Sequence, residues 1–259
     1  MLDRNIEFKS VKLGGLPTIC CTRTELAQVM VQDALQQKDS SRSLLPKLVF
    51  STNGQGIALS AKSLEFQEAM SKADIIHADG MPIVLFSKLT RSPLPDRIAT
   101  TDFFHDAAKF ASDNQLNFFM LGANEHENKQ AVINIKELYP NLNIVGSRSG
   151  YYTEEETDSI CNEIVACKTD ILWVALGKPK QEYWAVQNKE KLRGVTWIKT
   201  CGGLYSFLSG TAPRAPKWMQ RLGLEWLFRV WQEPTRLAGR YISTNFIAAI
   251  QLLTKSDYK

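Results

Sequence analysis

The sequence predicts an α/β protein: a parallel sheet with helices on both faces, followed by a helical C-terminal appendage. Three observations carry this. Short β-rich runs alternate with longer helical patterns through residues 1–209, the arrangement that parallel sheets require. The 259 residues, 44% hydrophobic and 22% charged, are enough for one large core with an addition. A composition shift across residues 209–216, rich in Gly, Pro and Ser, separates residues 1–209 from a basic, Trp-bearing segment, 210–259.

The elements follow in order. Residues 6–13 alternate and end at Gly14-Gly15, as a strand before a turn does. Thr22 and Glu25 have capping-box spacing and open a helix to about Gln37. Residues 39–43 read as a polar loop and 47–51 as a strand ending in Thr52-Asn53-Gly54. The buried run 73–78 breaks at Asp79-Gly80, and a helix starts at Pro82, since proline suits a first helical turn. A loop over 91–99 leads to a helix over 102–114, then a strand over 117–121 closed by Gly122. Helix 125–139, strand 143–146 and a helix capped by Thr153 and Glu156 come next. Strand 170–176 precedes Gly177-Lys178-Pro179-Lys180 and a helix from Gln181; strand 195–199 precedes Cys201-Gly202-Gly203 and a short helix to Leu208. Two helical stretches separated near Glu233-Pro234 complete the chain.

Charge is unevenly placed. From residue 211 onward eight basic residues face three acids, a net +5, while the rest of the chain sums to −1. A net +4 overall does not by itself call for nucleic acid. The five cysteines are odd in number and form no C-x-x-C pair, which reads as reduced, intracellular and without a zinc site. Met1-Leu2-Asp3-Arg4-Asn5 lacks the apolar core of a signal peptide, and no apolar run reaches the roughly 20 residues of a spanning helix.

In a parallel sheet, ligands sit beyond the C-terminal strand ends, where the loops after Ser51, Ala78 and Leu176 fall. Asp79 there is either a general base, helped by partial desolvation, or a turn aspartate before glycine. Thr52 and Asn53 suit hydrogen bonds to a sugar, or simply end a strand. Gly177, Lys178, Lys180 and Gln181 join a strand to a helix start, where backbone N–H groups and lysines suit a diphosphate; an ordinary turn explains them equally well. Arg229, Arg236 and Arg240 are spaced to share a helix face if Pro234 does not turn the chain, beside Trp226 and Trp231. That mix suits either an anionic membrane surface or a packed helix with a solvated basic face. His77, His105 and His126 lack metal-ligand spacing and no Asp-x-Asp element occurs, so neither a metal nor another cofactor is expected. The absence of a G-x-G-x-x-G motif disfavours a dehydrogenase.

Taken jointly, these pieces resemble the WecG/TagA/CpsF glycosyltransferase family. The residues that carry the resemblance are Thr52-Asn53, Ala78-Asp79-Gly80-Met81-Pro82, Asp96-Arg97 with Thr101-Asp102, and Gly150-Tyr151-Tyr152. They continue with Val174 to Glu182, Arg214-Ala215-Pro216, Glu225-Trp226-Leu227-Phe228-Arg229 and Glu233-Pro234-Thr235-Arg236. The resemblance implies a Rossmann-like core and an inverting, metal-independent transfer from a UDP-sugar to an undecaprenyl-diphosphate-linked saccharide, at the inner face of the bacterial cell membrane. It implies Asp79 as general base, Thr52, Asn53 and Gln181 at the donor or acceptor sugar, Arg97 lining the same pocket, and Arg229, Arg236 and Arg240 at diphosphate. The family usually has Pro at Gly54, Gly at Thr100 and commonly Asp at Ser206, so the resemblance leaves open which sugar these positions read. Among relatives the donors are UDP-linked N-acetylmannosamine, its uronic acid and glucose, and a homo-oligomer is left open. A non-catalytic nucleotide-binding module would bind UDP without transfer; a membrane scaffold would bind lipid after loss of Asp79 and Gln181.

Overall fold

A computed structural model describes residues 8–39 and 44–258, and for Arg236 the backbone alone. The elements in chain order are β1 (Ser10–Leu13), β2 (Leu16–Ile19), α1 (Arg23–Asp39), β3 (Lys47–Thr52), α2 (Gly54–Lys62), α3 (Leu64–Ser71), β4 (Ile75–Ala78) and α4 (Met81–Ser87). Next come α5 (Thr100–Asp113), β5 (Asn117–Gly122), α6 (Glu125–Leu138), β6 (Asn143–Arg148), α7 (Thr157–Ala166), β7 (Ile171–Ala175), α8 (Lys180–Asn188) and β8 (Trp197–Thr200). The chain ends with α9 (Leu204–Leu208), α10 (Lys217–Arg221), α11 (Glu225–Gln232) and α12 (Pro234–Thr254).

Six strands form one sheet in the order β4-β3-β8-β7-β5-β6, and every neighbouring pair is parallel. Apolar cores lie on both faces. One packs α1, α5, α6 and α9 around Phe103, Phe104 and Trp173. The other packs α2, α3, α4, α7, α8 and α12 around Phe50, Phe66 and Leu172. The helix after β5 belongs to the first face and the helix after β7 to the second. These two strands are neighbours, so their loops depart to opposite sides and a crevice opens at their C-terminal ends.

The expected single strand over 6–13 is instead the hairpin β1–β2; residues 6 and 7, and 40–43 of the expected polar loop, lie outside the described set. The two-residue turn has positive φ at both Gly14 (58°) and Gly15 (89°), which glycine tolerates at little cost. Where the sequence leads one to expect a turn after β3, the chain instead forms α2 and then α3. Asn53 is an N-cap: its Oδ1 accepts from Gly56 N at 3.1 Å, and the chain turns straight into a helix despite two glycines in the first turn.

The C-terminal segment is laid across the second face. α12 runs along α2, burying Leu237, Ala248 and Leu252. Gly15 N donates to Lys255 O at 2.8 Å, and Tyr258 bridges to Thr90. The break near Pro234 is real: Glu233 sits at φ −133° and ψ 66°, so Arg229 on α11 and Arg236 and Arg240 on α12 do not share one helix face. Among the described residues no helix is long and apolar enough to cross a membrane.

Candidate active site

A cleft of about 890 Å³ opens over the C-terminal strand ends and continues beneath the C-terminal helices. Its walls bring together Asn53, Asp79, Arg97, Gly177, Lys180, Gln181, Arg229 and Arg240 from six separate stretches of chain.

Asp79 follows β4 and is held at both ends. Its N–H donates to Thr52 O at 2.8 Å, and its Oδ1 accepts from Thr100 N at 2.8 Å. Thr100 is the first residue of α5, so the carboxylate meets a helix N-terminus, where negative charge is favoured. Ile98 N donates to Ala78 O at 2.8 Å, which lays Arg97 beside that carboxylate's loop.

Arg97 is only 9% exposed and is drawn into a ring of charges. It donates to Glu225 Oε2 at 3.0 Å, while Arg214 donates to Asp102 Oδ1 at 2.9 Å and lies 3.4 Å from Glu225 Oε1. Gln220 accepts from both guanidinium groups. Burial works to raise the Asp102 carboxyl, but the hydrogen bond and charge of Arg214, with Arg23 and Arg97, outweigh it and hold it below its usual value. This ring fastens the C-terminal segment to the α/β core at the cleft wall. Arg229 and Arg240 stand outside it: Arg229 stacks over the Phe207 ring at 4.9 Å and Arg240 over Tyr241 at 5.0 Å. Arg236 is on α12, with its side chain outside the described set.

Beneath the floor lies a buried polar layer. Lys178 Nζ donates to Ser51 O at 2.7 Å and to Glu182 Oε1 at 2.8 Å, and Gln181 Nε2 donates to the same oxygen at 2.8 Å. Gln181 Oε1 in turn accepts from Gly202 N at 2.9 Å. Glu182, through Lys178 and Gln181, thereby ties together the end of β3 and the loops after β7 and β8. Gly177 makes the turn with φ +76°, a left-handed value that favours glycine. Lys199, fully buried on β8, donates to Thr200 O at 2.6 Å; burial pushes its amine down to about 8, with Cys201, Asp79, Lys178 and Glu182 as charged or titratable neighbours. Burial and the adjacent lysine charges also keep His77 neutral, well below its ordinary value.

Several residues sit differently from the sequence reading. Thr52 is fully buried under the floor rather than on the cleft wall, and its hydroxyl finds no partner among the described residues. Lys178, one of the two loop lysines, is spent internally on Glu182, while Lys180 is exposed and lies over the Tyr152 ring at 5.7 Å. Gln181 lines the cleft with both ends of its amide already bonded. Glu182 stands in the sequence only as part of the matched loop, with no role of its own, and Lys199 carries no expected role; the one signal for Lys199 is a charge inside an otherwise apolar strand run. The three departures all lie at the cleft: Gly54 beneath Asn245, Thr100 on Asp79, and Ser206 donating to Glu127 Oε1 at 3.2 Å.

Comparison with known proteins gives the family. Residues 11–258 match the model of the glycosyl transferase WecG/TagA/CpsF family. An N-acetylglucosaminyldiphosphoundecaprenol N-acetyl-beta-D-mannosaminyltransferase of Bacillus subtilis (strain 168) is 33% identical over 189 residues, 73% of each chain. A protein of the same description from Bacillus spizizenii (strain ATCC 23059 / NRRL B-14472 / W23) is 29% identical over 185 residues, 71% of each chain. With nearly its whole length matched, and the matched motifs meeting in one cleft, the chain belongs to the WecG/TagA/CpsF glycosyltransferase family.

Proposed function

We propose that this protein transfers N-acetylmannosamine from a UDP-sugar to N-acetylglucosamine carried on a polyprenyl diphosphate, in the synthesis of a cell-envelope polysaccharide. The observation that carries the reading is the convergence of one anchored carboxylate, Asp79, with two arginines outside the salt-bridge ring, Arg229 and Arg240, in a single cleft. The names of the two relatives supply the sugars and the lipid carrier.

The chemistry follows from these groups. The acceptor hydroxyl oxygen attacks the anomeric carbon of the donor while Asp79 takes its proton. The bond from that carbon to the diphosphate oxygen breaks, UDP leaves with the electron pair, and the configuration inverts. Charge grows on the leaving diphosphate, and Arg229 is assigned to it, by planar, two-pronged hydrogen bonding, while Arg240 is assigned to the diphosphate of the acceptor. Asn53 and Gln181 are assigned to the sugars. Glu182 keeps the Gln181 amide in one orientation, with its oxygen toward Gly202.

Residues 210–259 serve as the docking element at the inner membrane face. Trp218, Leu222, Leu227 and Trp231, with Ile242, Phe246, Ile250 and Leu253 on α12, leave apolar surface exposed beside a basic segment. Bulky apolar and aromatic groups next to arginines suit an anionic lipid surface.

The test is sugar transfer from a panel of UDP-sugars to a short polyprenyl-diphosphate-linked N-acetylglucosamine. Transfer of N-acetylmannosamine is expected to dominate; a folded protein that turns over no donor would refute the enzyme reading. Sedimentation with phosphatidylglycerol vesicles tests the docking element, and Trp231→Ser with Phe246→Ser should abolish most of the binding.

A further inference from the structure

The cleft has two chemically distinct ends. Over the strand termini it is polar. Beyond Gly80 it runs on between α4 and α12, where Met81, Phe86, Tyr241, Ala248, Ala249 and Leu252 line it, with Asn245 as the polar residue on the α12 side. Ala248 and Leu252 are nearly buried, because they also belong to the apolar core that packs α4 and α12 on the sheet. At the far end the chain closes on itself, with Thr90 just after α4 bridging to Tyr258 just after α12. Leu85 on α4, Leu89 in the turn after it, and Ile250 and Leu253 on α12 stay exposed. Arg240 lies one residue before Tyr241, so a cation stands where the apolar stretch meets the polar one.

We propose that this arm is a binding subsite for the first isoprene units of the polyprenyl diphosphate acceptor, a reading that rests on the transfer reaction above. A molecule with a sugar, a diphosphate and a branched hydrocarbon tail in series presents the same order of chemistry as Asp79, Arg240 and the arm. Apart from Asn245, water in this slot meets alanine, leucine and aromatic rings and has few polar partners, so a hydrocarbon displaces it favourably. Seating the proximal tail inside the protein would also set the acceptor's depth and direction, which a membrane surface alone leaves loose.

The experiment compares binding of farnesyl diphosphate and methyl diphosphate by calorimetry, in detergent-free and lipid-free buffer, so that membrane docking plays no part. Each methylene removed from water is worth about fourfold in affinity, so farnesyl diphosphate is expected to bind at least about tenfold more tightly. Ala249→Phe, which fills the arm, and Phe86→Ala, which strips a wall, should each reduce that preference severalfold while leaving methyl diphosphate affinity unchanged. Equal affinity for the two ligands in the wild type, or a preference untouched in both variants, would overturn the proposal. Tail-dependent binding without sugar transfer to any acceptor would instead overturn the reaction reading and leave the arm standing.

Discussion

Replacing Glu182 with alanine should destabilise this protein more than almost any other single change near the cleft. Its carboxylate is fully buried and accepts from Lys178 Nζ and Gln181 Nε2, each at 2.8 Å. Removing it leaves a nearly buried ammonium with Ser51 O as its remaining protein acceptor. Breaking a buried pair from one side costs about 3–5 kcal/mol, because the other charge is stranded without water. The freed Gln181 amide hydrogen adds about 1 kcal/mol or more. In a chain of this size 1 kcal/mol shifts Tm by about 2–4 °C, so a fall of roughly 10 °C is expected. Lys178→Met should cost a similar amount by stranding the carboxylate. The double variant Lys178→Met/Glu182→Met removes both charges and should recover most of the loss, giving a coupling of about 3 kcal/mol. Urea denaturation of the four proteins in one buffer measures all terms. Single-variant losses below about 1 kcal/mol, or losses that simply add, would refute the view that Glu182 knots the cleft floor.

Other outcomes follow from the same site. Asp79→Asn keeps an oxygen for Thr100 N, so the fold and UDP binding should persist while kcat falls about 10²–10⁴-fold; a fall under tenfold would remove Asp79 as base. Arg240→Ala should weaken acceptor use by about 10–100-fold in kcat/KM, the worth of one hydrogen bond to a charged group, without changing Tm appreciably. Lys199 has a distinct pH signature. Its amine titrates near 8 in the fold and at 10.5 when unfolded, so between those values the unfolded chain holds the extra proton and stability rises with pH. Lys199→Met should therefore be more stable than wild type at pH 7, by up to about 3 kcal/mol, with the advantage fading toward pH 10.5; an advantage independent of pH would contradict this.

The alternation of strands and helices is legible in the chain, because buried apolar runs and capping signals such as Thr22 with Glu25 are local properties. The sequence also brought out which loops matter, since polar residues right after apolar strands must lie at one edge of a parallel sheet. It did not reveal α2: Asn-Gly followed by another glycine reads as a turn, and only the packing of Ile57 and Ala58 into the core makes a helix of it. Nor did it tell which polar groups face the cleft. Thr52 and Asn53 are adjacent, yet one is buried under the floor and the other caps a helix at the wall, since successive strand residues point to opposite sides. The roles of the charged residues were decided by tertiary structure alone. Lys178 and Arg97 look as available as Arg229 and Arg240 in the sequence. A carboxylate brought in from one turn away in α8, or from 128 residues away in α11, neutralises the first two. Charge in a sequence is a local fact, whereas the partner that screens it is set by the fold.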